Sequence, residues 1–341
     1  MKLLILGAAG FIGSNLVQYL VDQREHELVG VDRDDRKLAG IEGPNFAFVR
    51  ADVTTSDALI EDLVAKSDVV IDLVAYANPS IYIESPLDVI KLNFLENLKT
   101  VEHCVRYNKR LFQYSTSEVY GKPSGPSYVE DASDLVVGPV TKQRWVYAAS
   151  KQLLERVIHG HGLAGDLRYT IVRPFNFVGP RFDYLVPAGT TGGPRAFSHF
   201  MSALLTGGPI YLVDGGEQRR SFTHIDDASE AVALLLESPA AANQIFNIGN
   251  PANDVSIRDL VGLMIELYEE LTGKRPDNEI VEISGEEFYG LGYEDTNRVV
   301  PDISKLEALG WRPKYDLRTT FRETMASYQD ASIDVPTGGM A

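Results

Sequence analysis

Through its first 175 residues the chain alternates short apolar runs with amphipathic stretches. Lys2 to Leu6 is an apolar run closed by Gly7, the pattern of a buried parallel strand, and it leads into a helix from Phe11 to about Val21. The same signature returns at Glu27–Val31, Phe46–Arg50, Asp68–Leu73, Arg110–Ser115 and Tyr169–Arg173. Helices are predicted between these runs near Ser56–Ala65, from Pro86 to about Tyr107, and over Tyr147–His159. The second begins on a proline, which suits a first helical position, and carries Leu87, Ile90, Phe94, Leu98 and Val101 at helical spacing. Strand–helix alternation of this kind predicts an α/β fold with a doubly wound parallel sheet, whose ligands lie at the carboxyl ends of the strands.

Beyond Pro174 the pattern changes. Residues 176–219 are rich in glycine, proline and arginine, with one helix near Arg195–Leu205. Ser221–Leu236 and Ile245–Ile248 read as a return to the sheet, and 251–328 add helices at Ser256–Leu271 and Ile303–Leu309. The expectation is a first domain over 1–175, rejoined by 221–250, and a smaller discontinuous substrate-binding lobe from 176–220 and 251–328. Residues 329–341, with Pro336-Thr337-Gly338-Gly339, read as a disordered tail.

Composition narrows the partners. The 341 residues are 44% hydrophobic and 23% charged, ordinary for a globular enzyme. With 32 basic against 48 acidic residues the net charge is −16, which argues against nucleic acid or an anionic membrane as partner. An anionic substrate would need a basic pocket inside this acidic shell. The single Cys104 rules out an intramolecular disulfide and suits a reducing, cytoplasmic setting. The first residues are broken by glycine too soon for a signal peptide, and no window reaches the length of a membrane span. The 6 histidines show no metal-ligand spacing, so no metal is expected.

Gly7, Gly10 and Gly13 follow the first strand and open the first helix, with Phe11 and Ile12 between the last two. Glycine there lets the backbone turn tightly and approach a pyrophosphate held at a helix N-terminus, the arrangement of a Rossmann dinucleotide site. Asp32 ends the second strand, placed to bond ribose hydroxyls and repel a 2′-phosphate, which favours NAD over NADP. Arg33 beside it pulls the other way. Asp52 and Val53 are expected near the adenine, and Leu73 and Ala75 along the pyrophosphate crevice.

Tyr147 and Lys151 stand four residues apart on a predicted helix and share one face. An ammonium there, with an oxidised nicotinamide ring, lowers a phenol from its ordinary pKa of about 10. The phenol then takes a proton from a sugar or alcohol hydroxyl while hydride leaves the same carbon.

With Thr116, this pair resembles the hydroxyl–tyrosine–lysine triad of the extended short-chain dehydrogenase/reductase family, and the resemblance covers nearly the whole chain. Within that family, several strings are similar to the UDP-glucuronate decarboxylase domain of the bifunctional polymyxin-resistance enzyme and to plant UDP-apiose/UDP-xylose synthases. They are Asn93–Leu98, Val137–Trp145, Ser150–Leu153 and Tyr289–Tyr293. The resemblance implies C4 oxidation of UDP-glucuronate to a β-keto acid, then loss of carbon dioxide to a UDP-4-keto-pentose or UDP-xylose. In that scheme Tyr147 is the base, Lys151 its electrostatic partner and Thr116 a donor to the developing oxyanion. Ser117 and Glu118 match positions used at the sugar carboxylate and for proton transfer. Tyr82 matches a tyrosine the relatives place by the sugar, and Tyr293 is expected to bind substrate. Asn176, Arg195 and Arg220 are expected at the diphosphate and uracil, since planar multi-donor side chains match anions.

Two departures open alternatives. Plant synthases carry cysteine where Ser117 stands, which disfavours ring contraction to apiose. The decarboxylases' carboxylate-binding arginine falls on Val299, with Arg298 one position earlier. A local slip is expected to bring Arg298 to the sugar; without it, a UDP-glucuronate 4-epimerase is the rival. A NAD-sensing regulator is the non-enzyme rival. Family analogy also implies a homodimer through the helix beginning at Pro86 and the tyrosine–lysine helix, burying Leu92 and Leu95.

Overall fold

The computed structural model describes residues 1–182, 184–187, 189–191, 195–291 and 293–329; all but the first residue of the expected tail lies outside them. Strands β1 (Lys2–Leu6), β2 (Glu27–Asp32), β3 (Phe46–Arg50), β4 (Val69–Asp72), β5 (Arg110–Tyr114) and β6 (Tyr169–Pro174) fall where the apolar runs predict them. The helices among them are α1 (Phe11–Gln23), α2 (Asp57–Ala65), α3 (Pro79–Glu84), α4 (Pro86–Ile90), α5 (Asn97–Arg106) and α6 (Val146–Ala164). Downstream follow β7 (Phe177–Val178), α7 (Ala196–Thr206), β8 (Ile210–Val213), β9 (Arg219–Ser221), β10 (Thr223–His224), α8 (Ile225–Glu237) and β11 (Gln244–Ile248). The chain then forms β12 (Asp254–Ser256), α9 (Ile257–Thr272), β13 (Ile280–Ile283), α10 (Gly285–Tyr289), β14 (Arg298–Val299), α11 (Ser304–Glu307) and α12 (Leu317–Ala326).

The main sheet has seven parallel strands in the order β11-β6-β5-β4-β1-β2-β3. Its order reverses between β1 and β4, and there the chain leaves a crevice above the strand ends. Alternation along each strand builds two cores. Leu3, Ile5, Ile71, Phe112 and Val172 face one side, packed with Leu16 and Val17 of α1 and Val232 of α8. Leu4, Leu6, Val70, Leu111 and Ile171 face the other, against Ile60 and Val64 of α2, Val101 of α5 and Leu154 and Ile158 of α6. Among the described residues no helix is long and apolar enough to cross a membrane.

The helix expected from Pro86 to Tyr107 is interrupted by a π-helical turn at Lys91–Glu96. Its polar residues tie down the loop after β4. Asn93 accepts the Tyr76 N–H at 2.8 Å and donates to the Tyr76 carbonyl at 3.0 Å, and Asn97 donates to the Val74 carbonyl at 3.0 Å. A single-turn irregularity of this sort is common beside functional sites. Helix α6 runs past its expected end to Ala164 and is closed by Gly165, which takes the left-handed conformation at φ 81°. Three small sheets, β10-β7, β12-β9-β14 and β13-β8, stand with α7, α9 and α10 beyond the crevice. Helix α8 packs against α1, and β11 pairs with β6 at the edge of the main sheet.

Candidate active site

The glycine turn has a steric logic that differs at each position. Gly7 has φ +82°, and a Cβ there would stand 3.2 Å from the Leu73 backbone. A Cβ at Gly13 would stand 2.1 Å from the Gly7 carbonyl oxygen, so only glycine lets α1 pack this closely on the turn. At Gly10 a Cβ would meet nothing nearer than that oxygen at 3.3 Å. The missing side chain there opens the helix end rather than permitting the fold. Helix α1 has no side-chain cap and no acidic residue in its first turn, so its positive end is unbalanced. Together these features fit a pyrophosphate.

Gly7, Gly10, Phe11, Ile12, Gly13, Leu73 and Ala75 line one end of a cavity of about 430 Å³. Asp32, Asp52 and Val53 lie outside its lining. Asp32 instead braces the turn: its Oδ2 accepts the Ala9 N–H at 2.9 Å and its Oδ1 the Arg33 N–H at 2.7 Å. Each oxygen keeps a lone pair for ribose hydroxyls. Burial raises its carboxyl above the usual range, against those backbone bonds. The Asp52 Oδ1 is occupied by the Thr54 N–H and hydroxyl at 2.8 and 2.7 Å.

At the middle of the cavity Tyr147 and Lys151 project from α6, both buried. The Tyr147 ring stacks on Tyr82, with centroids 5.0 Å apart at 15°. Lys151 Nζ donates to the Tyr114 carbonyl at 3.1 Å. Burial lowers Lys151 to about 8, opposed by the charges of Asp72 and Glu155. The phenol departs from the expectation: burial pushes Tyr147 up, Glu118 adds to the rise, and the Thr116 hydroxyl, Arg195 and Arg144 only partly offset it. Desolvation of a fully enclosed phenolate outweighs the cations the protein itself supplies. Thr116 caps the turn Ser117–Tyr120, its Oγ1 accepting the Glu118 N–H at 3.1 Å, and so positions Ser117 and Glu118 on the cavity wall.

Arg144 is the residue that sequence reasoning missed. It stands in the short turn Gln143–Trp145 ahead of α6 and is buried. Its Nη1 pairs with Glu118 Oε2, and its guanidinium lies 5.8 Å from the Tyr82 ring centre and 5.6 Å from that of Trp145. The available signal was its position three residues before Tyr147, which gives both side chains one side of the helix entry.

Arg298 is not brought to the site. On β14 successive side chains point to opposite faces. Arg298 turns outward, half exposed, and binds Asp254 Oδ2 through Nη2 at 2.8 Å and Nε at 3.1 Å. Val299 turns inward, joins Tyr120, Tyr128 and Phe175 and lines the cavity. The register Arg298↔Arg219 and Val299↔Arg220 holds this arrangement, and a slip would bury the guanidinium of Arg298 among those rings.

The remaining expected ligands, Tyr82, Asn176, Arg195, Arg220 and Tyr293, all line the cavity. Asn176 has φ 41° and donates to the Ser221 carbonyl at 3.1 Å. Arg220 donates to Asp295 at 2.5 Å and to the Thr296 carbonyl at 2.9 Å. The Arg195 guanidinium lies 4.7 Å from the Phe182 ring centre, and Tyr293 stacks on Tyr289 at 4.3 Å. Among the described residues, Lys151, Arg144, Arg195 and Arg220 thus meet only Glu118 and Asp295 as carboxylates in the lining, a basic interior in an acidic chain.

Comparison with known proteins agrees with this geometry. A family model described as the NAD dependent epimerase/dehydratase family matches residues 3–249. The chain is 40% identical to UDP-D-apiose/UDP-D-xylose synthase of Oryza sativa subsp. japonica, over 95% of this chain and 88% of that protein. Among solved structures, the PbgP3 protein from Burkholderia pseudomallei superposes with a TM-score of 0.85 at 37% identity, covering 96% of both chains. UDP-glucuronic acid 4-epimerase from Bacillus cereus, in complex with UDP-glucuronic acid and NAD, superposes with a TM-score of 0.80 at 25% identity, over 96% of this chain and 99% of that one. With the glycine turn, the switch-point crevice and the Thr116–Tyr147–Lys151 set in one cavity, the chain belongs to the NAD-dependent epimerase/dehydratase family, the extended branch of the short-chain dehydrogenases/reductases.

Proposed function

We propose that this protein is an NAD-dependent UDP-glucuronate decarboxylase. The observation that carries the reading is the Glu118–Arg144 pair, set beside Tyr147 and Tyr82 in the basic cavity. The glycine turn and Asp32 would hold NAD, which supplies the hydride acceptor. Arg195, Arg220 and Asn176 bind the diphosphate, since planar multi-donor groups match its oxygens. Tyr147 takes the proton of the C4 hydroxyl, assisted by Thr116 and by the ammonium of Lys151. The ketone so formed is β to the C6 carboxylate, and carbon dioxide leaves because the remaining electrons delocalise into an enolate. Glu118 carries the proton that replaces it at C5.

One observation favours a second reading. Val299 makes the cavity wall apolar where the decarboxylase pattern has its arginine, and Arg298 is committed to Asp254. A UDP-glucuronate 4-epimerase would keep the carboxylate and return hydride to the opposite face. Incubation with UDP-glucuronate and NAD, followed by mass spectrometry, decides. Carbon dioxide with a UDP-pentose supports the decarboxylase; UDP-galacturonate replaces it with the epimerase.

We infer a homodimer as the working form and a cytoplasmic setting. Leu87 is 78% exposed, and Leu95 and Leu153 are about half exposed, on the two helical segments expected to pair. A two-fold contact there would form a four-helix bundle. Cys104 is buried and unpaired, as suits a reducing compartment.

A further inference from the structure

Beneath Lys151 lies a buried carboxylate that the proposed chemistry does not use. Asp72 closes β4 and is fully buried. Strand alternation turns it with Val70 toward α5 and α6, the face on which Lys151 enters. Its Oδ1 accepts the Val74 N–H at 3.0 Å, whereas its Oδ2 has no hydrogen-bond partner. Gln113, its register neighbour on β5, donates one amide to the carbonyls of Asp72 at 3.3 Å and Tyr114 at 3.2 Å. The Gln113 Oε1 is likewise unpartnered. Lys151 donates to that same Tyr114 carbonyl. Lys151 and Gln113 thus meet at the Tyr114 carbonyl, and Gln113 ties that point to Asp72 beneath the helix.

We propose that Asp72 is a positioning residue for the redox step: its buried carboxylate is the counter-ion that keeps Lys151 an ammonium at working pH. A buried ammonium with no anion nearby gives up its proton, because the low-polarity interior penalises the charge. The other groups around Lys151 do not serve. Glu155, on α6, is held by Arg173 in a two-pronged pair at 3.0 and 2.6 Å, so its charge is already balanced. Cys104, on α5, is kept a neutral thiol by burial, and Tyr147 on the cavity side is held a neutral phenol. Of all charges, Asp72 raises Lys151 most, and Lys151 lowers Asp72 most. Burial places Asp72 at about 6 and Lys151 at about 8, so both are charged between those values.

The catalytic consequence rests on the reading of Tyr147 and Lys151 as the redox pair; the charge relationship does not. The test is carbon-13 NMR of lysine labelled at Cε, with the Lys151 signal assigned by its loss in Lys151→Arg. Asp72→Asn keeps an oxygen for the Val74 N–H and puts an uncharged amide where the carboxylate was. The Lys151 titration is expected to fall by roughly one unit or more in Asp72→Asn. A titration that stays put or rises overturns the proposal, even where the melting temperature changes, since that marks a merely structural carboxylate. Should Asp72→Asn fail to fold, the wild-type protein supplies the test. Its Lys151 signal should show a second, smaller step near pH 6 as Asp72 takes up a proton, and a single-step curve overturns the proposal. In the active enzyme the alkaline limb of C4 oxidation should move the same way. The NMR arms need neither NAD nor sugar, so failure of the sugar reading leaves them readable.

Discussion

Tyr82 and Tyr147 lie face to face, 5.0 Å between ring centres and 15° between planes, although they come from α3 and α6 on separate stretches of chain. The stack holds the Tyr147 ring from its flank while leaving its hydroxyl to Thr116 and the cavity. Tyr147→Phe keeps the stack and removes the base. NADH formation on adding UDP-glucuronate should fall by at least ~10²-fold with little change in melting temperature. Tyr82→Leu removes the stack, worth about 0.5–1.5 kcal/mol beyond burial, and should cost less rate than Tyr147→Phe. Undiminished NADH formation in Tyr147→Phe removes that residue from the mechanism.

Glu118 and Arg144 neutralise one another on the cavity wall. Glu118→Gln should suppress carbon dioxide release more than it suppresses C4 oxidation, because only the later proton transfer loses its carrier. Arg144→Met leaves Glu118 without its cation and should weaken both steps. Equal suppression of the two steps by Glu118→Gln would assign the carboxylate to binding alone.

The β14 residues make opposite forecasts. Arg298→Ala should change neither product nor rate by more than ~2-fold, the usual scale for a surface pair. Val299→Arg adds a cation to the cavity wall and should raise the share of UDP-glucuronate that loses carbon dioxide, read by mass spectrometry. Overpacking against Tyr120, Tyr128 and Phe175 should cost about 1–3 kcal/mol, which a melting curve reports. A fall in carbon dioxide release with Arg298→Ala would restore that arginine to the site.

Lys151 sets a pH dependence whose sign differs for rate and for stability. Its ammonium is present below about 8 and lost above it, so C4 oxidation should decline on the alkaline side. Between that value and its ordinary 10.5 the unfolded chain binds more protons at this residue than the folded one. Its contribution to stability therefore rises with pH in that window. Loss of rate near pH 8.5 without loss of melting temperature, roughly in the range these shifts define, is the expected pairing. Inactivation that tracks unfolding would point to another group.

Light scattering at micromolar concentration should report twice the chain mass. Leu95→Glu together with Leu153→Glu should convert the dimer to monomer, since charges would enter an apolar two-fold contact. A wild-type monomer at that concentration removes the dimer.

The sheet, the glycine turn and the tyrosine–lysine helix were legible because each is a local pattern. Apolar runs such as Lys2–Leu6 and Val69–Asp72 mark strands by what they bury, and Tyr147 with Lys151 obeys helical spacing wherever the helix sits. Asp32 was placed correctly at a strand end, but its bond to Ala9 depends on how closely the turn folds back.

By itself, then, the sequence determined the parallel sheet, the glycine turn and the shared helical face of Tyr147 and Lys151, all set by short-range patterns. Only the tertiary structure decided which cation reaches the cavity. Arg144 and Arg298 are equally basic in the sequence, yet one is enclosed between Glu118 and two aromatic rings while the other faces solvent beside Asp254. That choice turns on the register of a two-residue strand against β9, and a shift of one position would exchange the wall-lining Val299 for a charge. Register and enclosure come from contacts between distant segments, which no local pattern encodes.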